Sequence, residues 1–209
     1  MDRPPGPAVV GVADHSGWAA LVTVGADERG VRVLDRRRCE LLAPDLPRQP
    51  YHAAAGLDLD AAEDLVSRVY AAAEDGAVAA LAVLAGDLGD SHRPVALVLR
   101  GERAVVPSLA TVLASHALIH AAEGALYRAA LGEAATRSGL DVSRHPPGEA
   151  TAAAVTALGT TPAELDRRLR DWGRDVGPPW RKEHRDAAAA ALGELCHRDP
   201  GAISRRRPP

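Results

Sequence analysis

An aspartate closes an apolar run near the start of the chain, Val9-Val10-Gly11-Val12-Ala13-Asp14. A polar turn, His15-Ser16-Gly17, follows, and a second apolar run leads away. This is the pattern of two strands joined by a short loop, with Gly supplying the turn's backbone angles. An acid at the mouth of a buried strand is placed to handle a metal ion or a phosphate. Near the other end, Glu183 and Asp186 stand three apart, so they share a helix face, with His184 beside them. The plainer role for such acids is to favour the dipole of a helix they begin. On a long helical segment His116, His120 and Glu123 fall at i, i+4 and i+7, with Tyr127 one turn further. That face offers two imidazoles and a carboxylate to a transition metal. Leu109, Leu113 and Leu131 share the stripe, so packed, hydrogen-bonded histidines are the competing reading. A metal there would need further ligands, such as His92 or His145.

The frame for these residues is bounded by composition. A chain of 209 residues fits one domain. It is 46% hydrophobic but only 3% aromatic and has no Phe, so the core must be built from Ala, Leu and Val. The Ala/Arg/Gly/Pro bias is that of a GC-rich genome. A net charge of -3 argues against a whole-protein basic surface made for nucleic acid. The clusters at Arg36-Arg37-Arg38, Arg167-Arg168 with Arg170, and Arg205-Arg206-Arg207 read as solvated faces or a frayed tail. Cys39 and Cys196 form no disulfide framework and no CxxC pair, which points to a reducing, cytoplasmic location. The start of the chain carries no apolar leader, and no run approaches ~18 apolar residues, so a soluble protein without a membrane span is expected. No P-loop, GxGxxG or GxSxG motif is present.

The elements follow from periodicity and punctuation. Residues 31–42 read as a third strand, completing an antiparallel meander. Residues 43–58 form a Pro-rich connector carrying Pro44, Pro47, Pro50, Tyr51 and His52, and connectors this long tend to be functional or disordered. Asp60-Ala61-Ala62-Glu63 looks like a capping box opening a helix that runs past Gly76 to Gly86. A strand buried on both faces is expected at 94–99. The longest helix is expected from Pro107-Ser108 to Ser138-Gly139, then a strand at 140–144 and a short helix at 149–158. Thr161-Pro162-Ala163-Glu164 is a cap, a first-turn Pro and a reciprocal Glu, a strong helix start. A last Ala-rich helix covers 182–196. The order is β-β-β-α-β-α-β-α with a helical insertion at about 160–176, which describes a mixed sheet with helices on both faces. One domain over 9–200 is expected, between a disordered N-terminus at 1–8 and a disordered basic tail at 201–209.

This order resembles the ribonuclease H-like fold, and two stretches are similar to the RuvC-type Holliday-junction resolvases. Gly11-Val12-Ala13-Asp14-His15-Ser16-Gly17 resembles the family's opening strand, where a metal-binding Asp precedes a Gly turn, with one extra residue between Asp14 and Gly17 here. Glu183-His184-Arg185-Asp186, followed by small apolar residues to Leu192, resembles the family's final helix. The resemblance implies a nuclease acting on structured nucleic acid. Its two Mg²⁺ or Mn²⁺ ions, about 4 Å apart, would activate a water and stabilise the leaving oxygen. Hard cations want oxygen ligands. Asp14, Glu183 and Asp186 would be ligands, and His184 would orient water or phosphate. The family's Glu at the end of the fourth strand is missing, since Leu99 is followed by Arg100-Gly101. Glu102 and Glu123 are the candidates to replace it. Arg100, Arg181 and Lys182 would meet phosphates, whose contacts position a nucleic acid without reading its sequence. A homodimer is compatible with this reading. The competing expectation is a degenerate scaffold of the same fold that binds protein or nucleic acid without cutting, and the number of carboxylates around Asp14 separates the two.

Overall fold

A computed structural model describes residues 4–28, 30–146 and 148–201. Strands β1 (Gly6–His15), β2 (Trp18–Asp27) and β3 (Gly30–Glu40) form the antiparallel meander. Strands β4 (His92–Arg100) and β5 (Asp141–His145) continue the sheet parallel to β1, in the spatial order β3-β2-β1-β4-β5. The helices are α1 (Pro50–Ala54), α2 (Leu59–Leu88), α3 (Leu109–Leu113), α4 (His116–Arg137), α5 (Ala150–Leu158), α6 (Pro162–Val176) and α7 (Lys182–Arg198). The expected mixed sheet with helices on both faces is what forms. Of the tail expected at 201–209, residues 202–209 lie outside the described residues, and the N-terminus expected to be disordered over 1–8 instead enters β1 at Gly6, paired with β4.

Alternation along the strands divides the core in two. Val10, Val12, Leu97 and Leu99 face α2 and α4, whereas Val9, Val22, Ala96 and Val98 face α5, α6 and α7. Helix α7 approaches closely because Ala187–Ala191 are all small and buried. At Gly11 the approach leaves no room for a side chain: a Cβ there would lie 1.9 Å from the Ala187 carbonyl oxygen. The glycine of the opening motif is thus a packing requirement that seats α7 on β1.

Two helix boundaries differ from expectation. Helix α2 starts earlier, because Asp58 rather than Asp60 caps it by accepting the Ala61 N–H at 2.9 Å. It has the length and composition of a membrane span, yet it lays Val69, Ala73, Ala77, Leu81 and Leu84 into the core. The segment expected as one helix from Pro107 is two, α3 and α4. Ser115 leaves the helical region (φ -140, ψ 117) and caps α4 through the Leu118 N–H. Leu109 and Leu113 therefore sit on a separate helix from His116 and His120, and both histidines are exposed. Helix α6 opens with the expected capping box, Thr161 and Glu164 satisfying each other's backbone N–H.

Candidate functional site

Since β1, β4 and β5 run parallel, their carboxyl ends open together, the place where open α/β sheets bind ligands. Asp14 lies at this edge with a buried side chain. It has the parity of Val10 and Val12, so it faces the α4 side, while His15 faces the α7 side. Both Asp14 carboxylate oxygens are engaged. Arg100, the last residue of β4, donates from Nε to Oδ1 at 2.7 Å and from Nη2 to Oδ2 at 3.3 Å. Arg128 of α4 donates from Nη1 to Oδ2 at 3.0 Å. Gly124, one turn earlier on α4, clears the space for this guanidinium, since a Cβ there would stand 2.9 Å from Arg128 Nη1. The hydrogen bond to Asp14 raises the Arg100 pKa above the ordinary guanidinium value, so this cation is permanent.

Arg128 also lines a cavity of about 610 Å³ between α2, α4, β5 and the loop after β4. Arg103, Arg144, Glu102, Glu133 and Tyr70 share its wall. Burial, then the charges of Arg103 and Arg128, hold the Arg144 pKa below its ordinary value. Among the described residues no carboxylate lies within ion-pair distance of Arg103 or Arg144, so their guanidinium groups are open to an anionic ligand, although Glu102 acts electrostatically on Arg144.

Glu183 and Asp186 lie near the same edge with neighbours of their own, whereas Glu102 and Glu123 stand apart from it. Asp186 is paired with Lys182 on the exposed side of α7, and it also faces Arg100. Glu183, on the same turn, lies 4.0 Å from His184 Nδ1 and acts electrostatically on His15. His184 is buried rather than exposed, and burial lowers its pKa. Its Nδ1 accepts the Arg181 N–H at 3.1 Å, which leaves the ring proton on Nε2 and gives the imidazole a capping role. Glu102 is exposed on the cavity wall, and Glu123 is buried on α4 against His52. Arg181 is exposed beside Lys182. On the α7 side, His15 stacks on Trp18 with ring centroids 3.9 Å apart, and Arg38 covers that indole at 3.7 Å.

A pair of hard divalent cations does not suit this arrangement. Asp14 has already given both oxygens to N–H donors, and the guanidinium that binds it also faces Asp186. Two guanidinium groups, one of them half exposed, stand beside Asp14 where a cation would enter, and like charges repel in a partly buried site. The sequence reading named Arg100 but missed Arg128, Arg103 and Arg144. The only local sign of Arg128 was a glycine one turn before it.

No protein-family model and no curated protein matches the chain. Solved structures do. Thermus thermophilus RuvC in complex with a Holliday junction substrate superposes with a TM-score of 0.52 at 18% identity, covering 93% of this chain and 96% of that one. A second T. thermophilus RuvC structure gives a TM-score of 0.51 at 17% identity, covering 93% of this chain and 97% of that one. At these identities the likeness establishes the fold: the chain has a RuvC-like, ribonuclease H-like architecture.

Proposed function

We propose that this chain is a ribonuclease H-like scaffold that binds nucleic acid at the carboxyl ends of its parallel strands and does not hydrolyse it. The observation that carries the reading is the engagement of both Asp14 oxygens by Arg100 and Arg128. Asp14 then positions two guanidinium groups instead of a metal ion. With Arg103 and Arg144 they present hydrogen-bond donors to phosphates, for which arginine's planar fork is well shaped. Arg181 and Lys182 flank the same edge from the α7 side as outer phosphate contacts. The Holliday junction bound by the T. thermophilus RuvC neighbour supports a branched duplex as the substrate class. The net charge of -3 is compatible with this, because Arg103 and Arg144 offer guanidinium groups with no ion-pair partner among the described residues. The buried free thiols of Cys39 and Cys196 suit the cytoplasm.

The test combines binding and cleavage. Fluorescence anisotropy with a labelled four-way junction at several salt concentrations should give an affinity that falls steeply with salt. Arg144→Ala and Arg103→Ala should each flatten the logarithmic salt slope by about one. The stoichiometry reads whether one copy or two engage the junction. With Mg²⁺ or Mn²⁺ no product should form from the junction, an RNA–DNA hybrid or a single strand. Product that disappears in Asp14→Asn would restore the nuclease reading, with Asp14, Glu183 and Asp186 as ligands. Absence of salt-dependent binding would refute the cleft.

A further inference from the structure

At its amino end, α4 meets the connector that precedes α2. There His52 of α1 joins His116 and His120, and the three ligand nitrogens lie within 4.8 Å of one another. The ring centroids are 4.7 Å apart for His52 and His120, 5.8 Å for His52 and His116, and 4.5 Å for His116 and His120. The two α4 histidines have the i, i+4 spacing that turns both imidazoles to one face, a spacing helices use to hold zinc.

His52 is held in place by Glu123. Its Nδ1 lies 3.1 Å from Glu123 Oε1, and its backbone N–H donates to the same oxygen at 3.1 Å. A carboxylate accepting at Nδ1 puts the ring proton there and leaves the Nε2 lone pair free for the other two rings. The segment is braced further by buried Tyr51 and by the Tyr127 hydroxyl, which donates to the Arg48 carbonyl at 2.7 Å. Glu123 itself is only 4% exposed, and its Oε2 has no hydrogen-bond partner among the described residues. A buried acid with one idle oxygen is costly unless it balances a cation nearby.

We propose that His52, His116 and His120 bind one divalent transition metal of the zinc class, with Glu123 as the carboxylate behind His52. Three imidazoles fill three tetrahedral positions and water takes the fourth, the composition of an open zinc site. Metal–nitrogen bonds of about 2.0–2.1 Å bring the nitrogens to about 3.3 Å from each other. The exposed side chains of His116 and His120 are free to close that gap by rotation. A carboxylate behind a metal-bound histidine fixes its tautomer and raises its basicity, which is the position Glu123 occupies. The sequence had Glu123 as a direct ligand; the structure moves it one group outward and supplies His52 instead. Hard cations such as Mg²⁺ prefer oxygen and are poor occupants here. The ion would tie α1 to α4 independently of anything bound at the strand ends.

The test is isothermal titration of the full chain, without an affinity tag, with Zn²⁺, and with Co²⁺ read by its visible absorption. One equivalent should bind, with the intense bands of four-coordinate Co²⁺, and excess Mg²⁺ should not displace it. His116→Ala and His120→Ala, both at exposed positions that leave folding intact by circular dichroism, should each weaken binding by about 100-fold. Glu123→Gln should weaken it by about 10–100-fold, and His145→Ala and His197→Ala should leave it unchanged. Absence of saturable binding, or an isotherm unaltered in the His116→Ala/His120→Ala double variant, overturns the site. Unchanged affinity in Glu123→Gln overturns the carboxylate's part in it.

Discussion

Asp14→Asn separates a charge clamp from a metal ligand, because the two assign opposite signs to its effect on stability. In the folded chain Asp14 accepts from Arg100 at 2.7 Å and from Arg128 at 3.0 Å, with a side chain only 3% exposed. The amide keeps one oxygen, so one of these bonds survives as a bond to a neutral acceptor. The other becomes two facing N–H donors. A hydrogen bond to a charged group is worth about 1.5–3 kcal/mol and one between neutral groups about 0.5–1.5 kcal/mol. Losing the first kind once and weakening it once gives about 2.5–4.5 kcal/mol. Arg100 is half exposed and turns partly to water when released, which trims the loss to about 2–3 kcal/mol. At about 2–4 °C per kcal/mol for a chain of this size, the melting midpoint should fall by about 4–12 °C. The assay is calorimetry in a chelating buffer, with and without added Mg²⁺, and Mg²⁺ should leave the wild-type midpoint in place. A carboxylate awaiting a cation is instead relieved by neutralisation. A midpoint raised or unchanged in Asp14→Asn, together with wild type stabilised by Mg²⁺, would refute the clamp.

Two further predictions concern the elements that carry the site. Gly11→Ala places a methyl 1.9 Å from the Ala187 backbone oxygen, so β1 and α7 must separate. Overpacking of this kind costs about 1–3 kcal/mol, and thermal denaturation should show a midpoint lower by about 2–12 °C; an unchanged midpoint would mean that α7 does not seat there. At the start of α6, the Thr161 N–H, then the Thr160 and Thr161 hydroxyls, hold the Glu164 carboxyl down from 4.5 to about 2. A folded-state value below the unfolded one stabilises above the unfolded value and is lost as pH falls through the folded value. The melting difference between wild type and Glu164→Gln should therefore be full near pH 6 and shrink from about 4.5 toward about 2. A difference independent of pH would remove the box from the ledger of α6.

Where information is local, the sequence was legible. The apolar runs flanking Asp14 became β1 and β2 paired from Ala8–Gly25 to His15–Trp18, and the 94–99 run became buried β4. The Thr161–Glu164 box and the alanines after Asp186 marked α6 and α7. Asp14 and Arg100 were legible as residues, but their contact with each other and with Arg128 was not, because the partners are remote. Arg100 and Arg128 lie 86 and 114 positions from Asp14, and no local signal announces such a contact. Alternation does put Asp14 and His15 on opposite faces of β1, while Arg100 at the strand end feels both Asp14 and the α7 acid Asp186. Ser115 was misread because a serine inside a periodic helix pattern and a serine capping a new helix look alike until the backbone is seen to leave the helical region. His52 was visible as one of several polar residues in a Pro-rich connector; its place beside α4 depends on long-range packing of Tyr51 and Glu123.

The guanidinium at the end of β4 connects stability to ligand choice. A buried aspartate at a strand mouth without a cation would be an uncompensated charge, and such charges cost several kcal/mol. A divalent ion is one remedy; a side chain that stays protonated at every accessible pH is another, and Arg100 with Arg128 supplies it. Asp14 meets two guanidinium groups, Asp186 acts on one of them, and Arg103 and Arg144 have no acid within ion-pair distance among the described residues. An edge built with several carboxylates would collect metal ions first and reach phosphate through them. An edge lined with arginines can meet phosphate directly. On the proposed reading, the residues that compensate the buried Asp14 therefore also take part in what the cleft attracts.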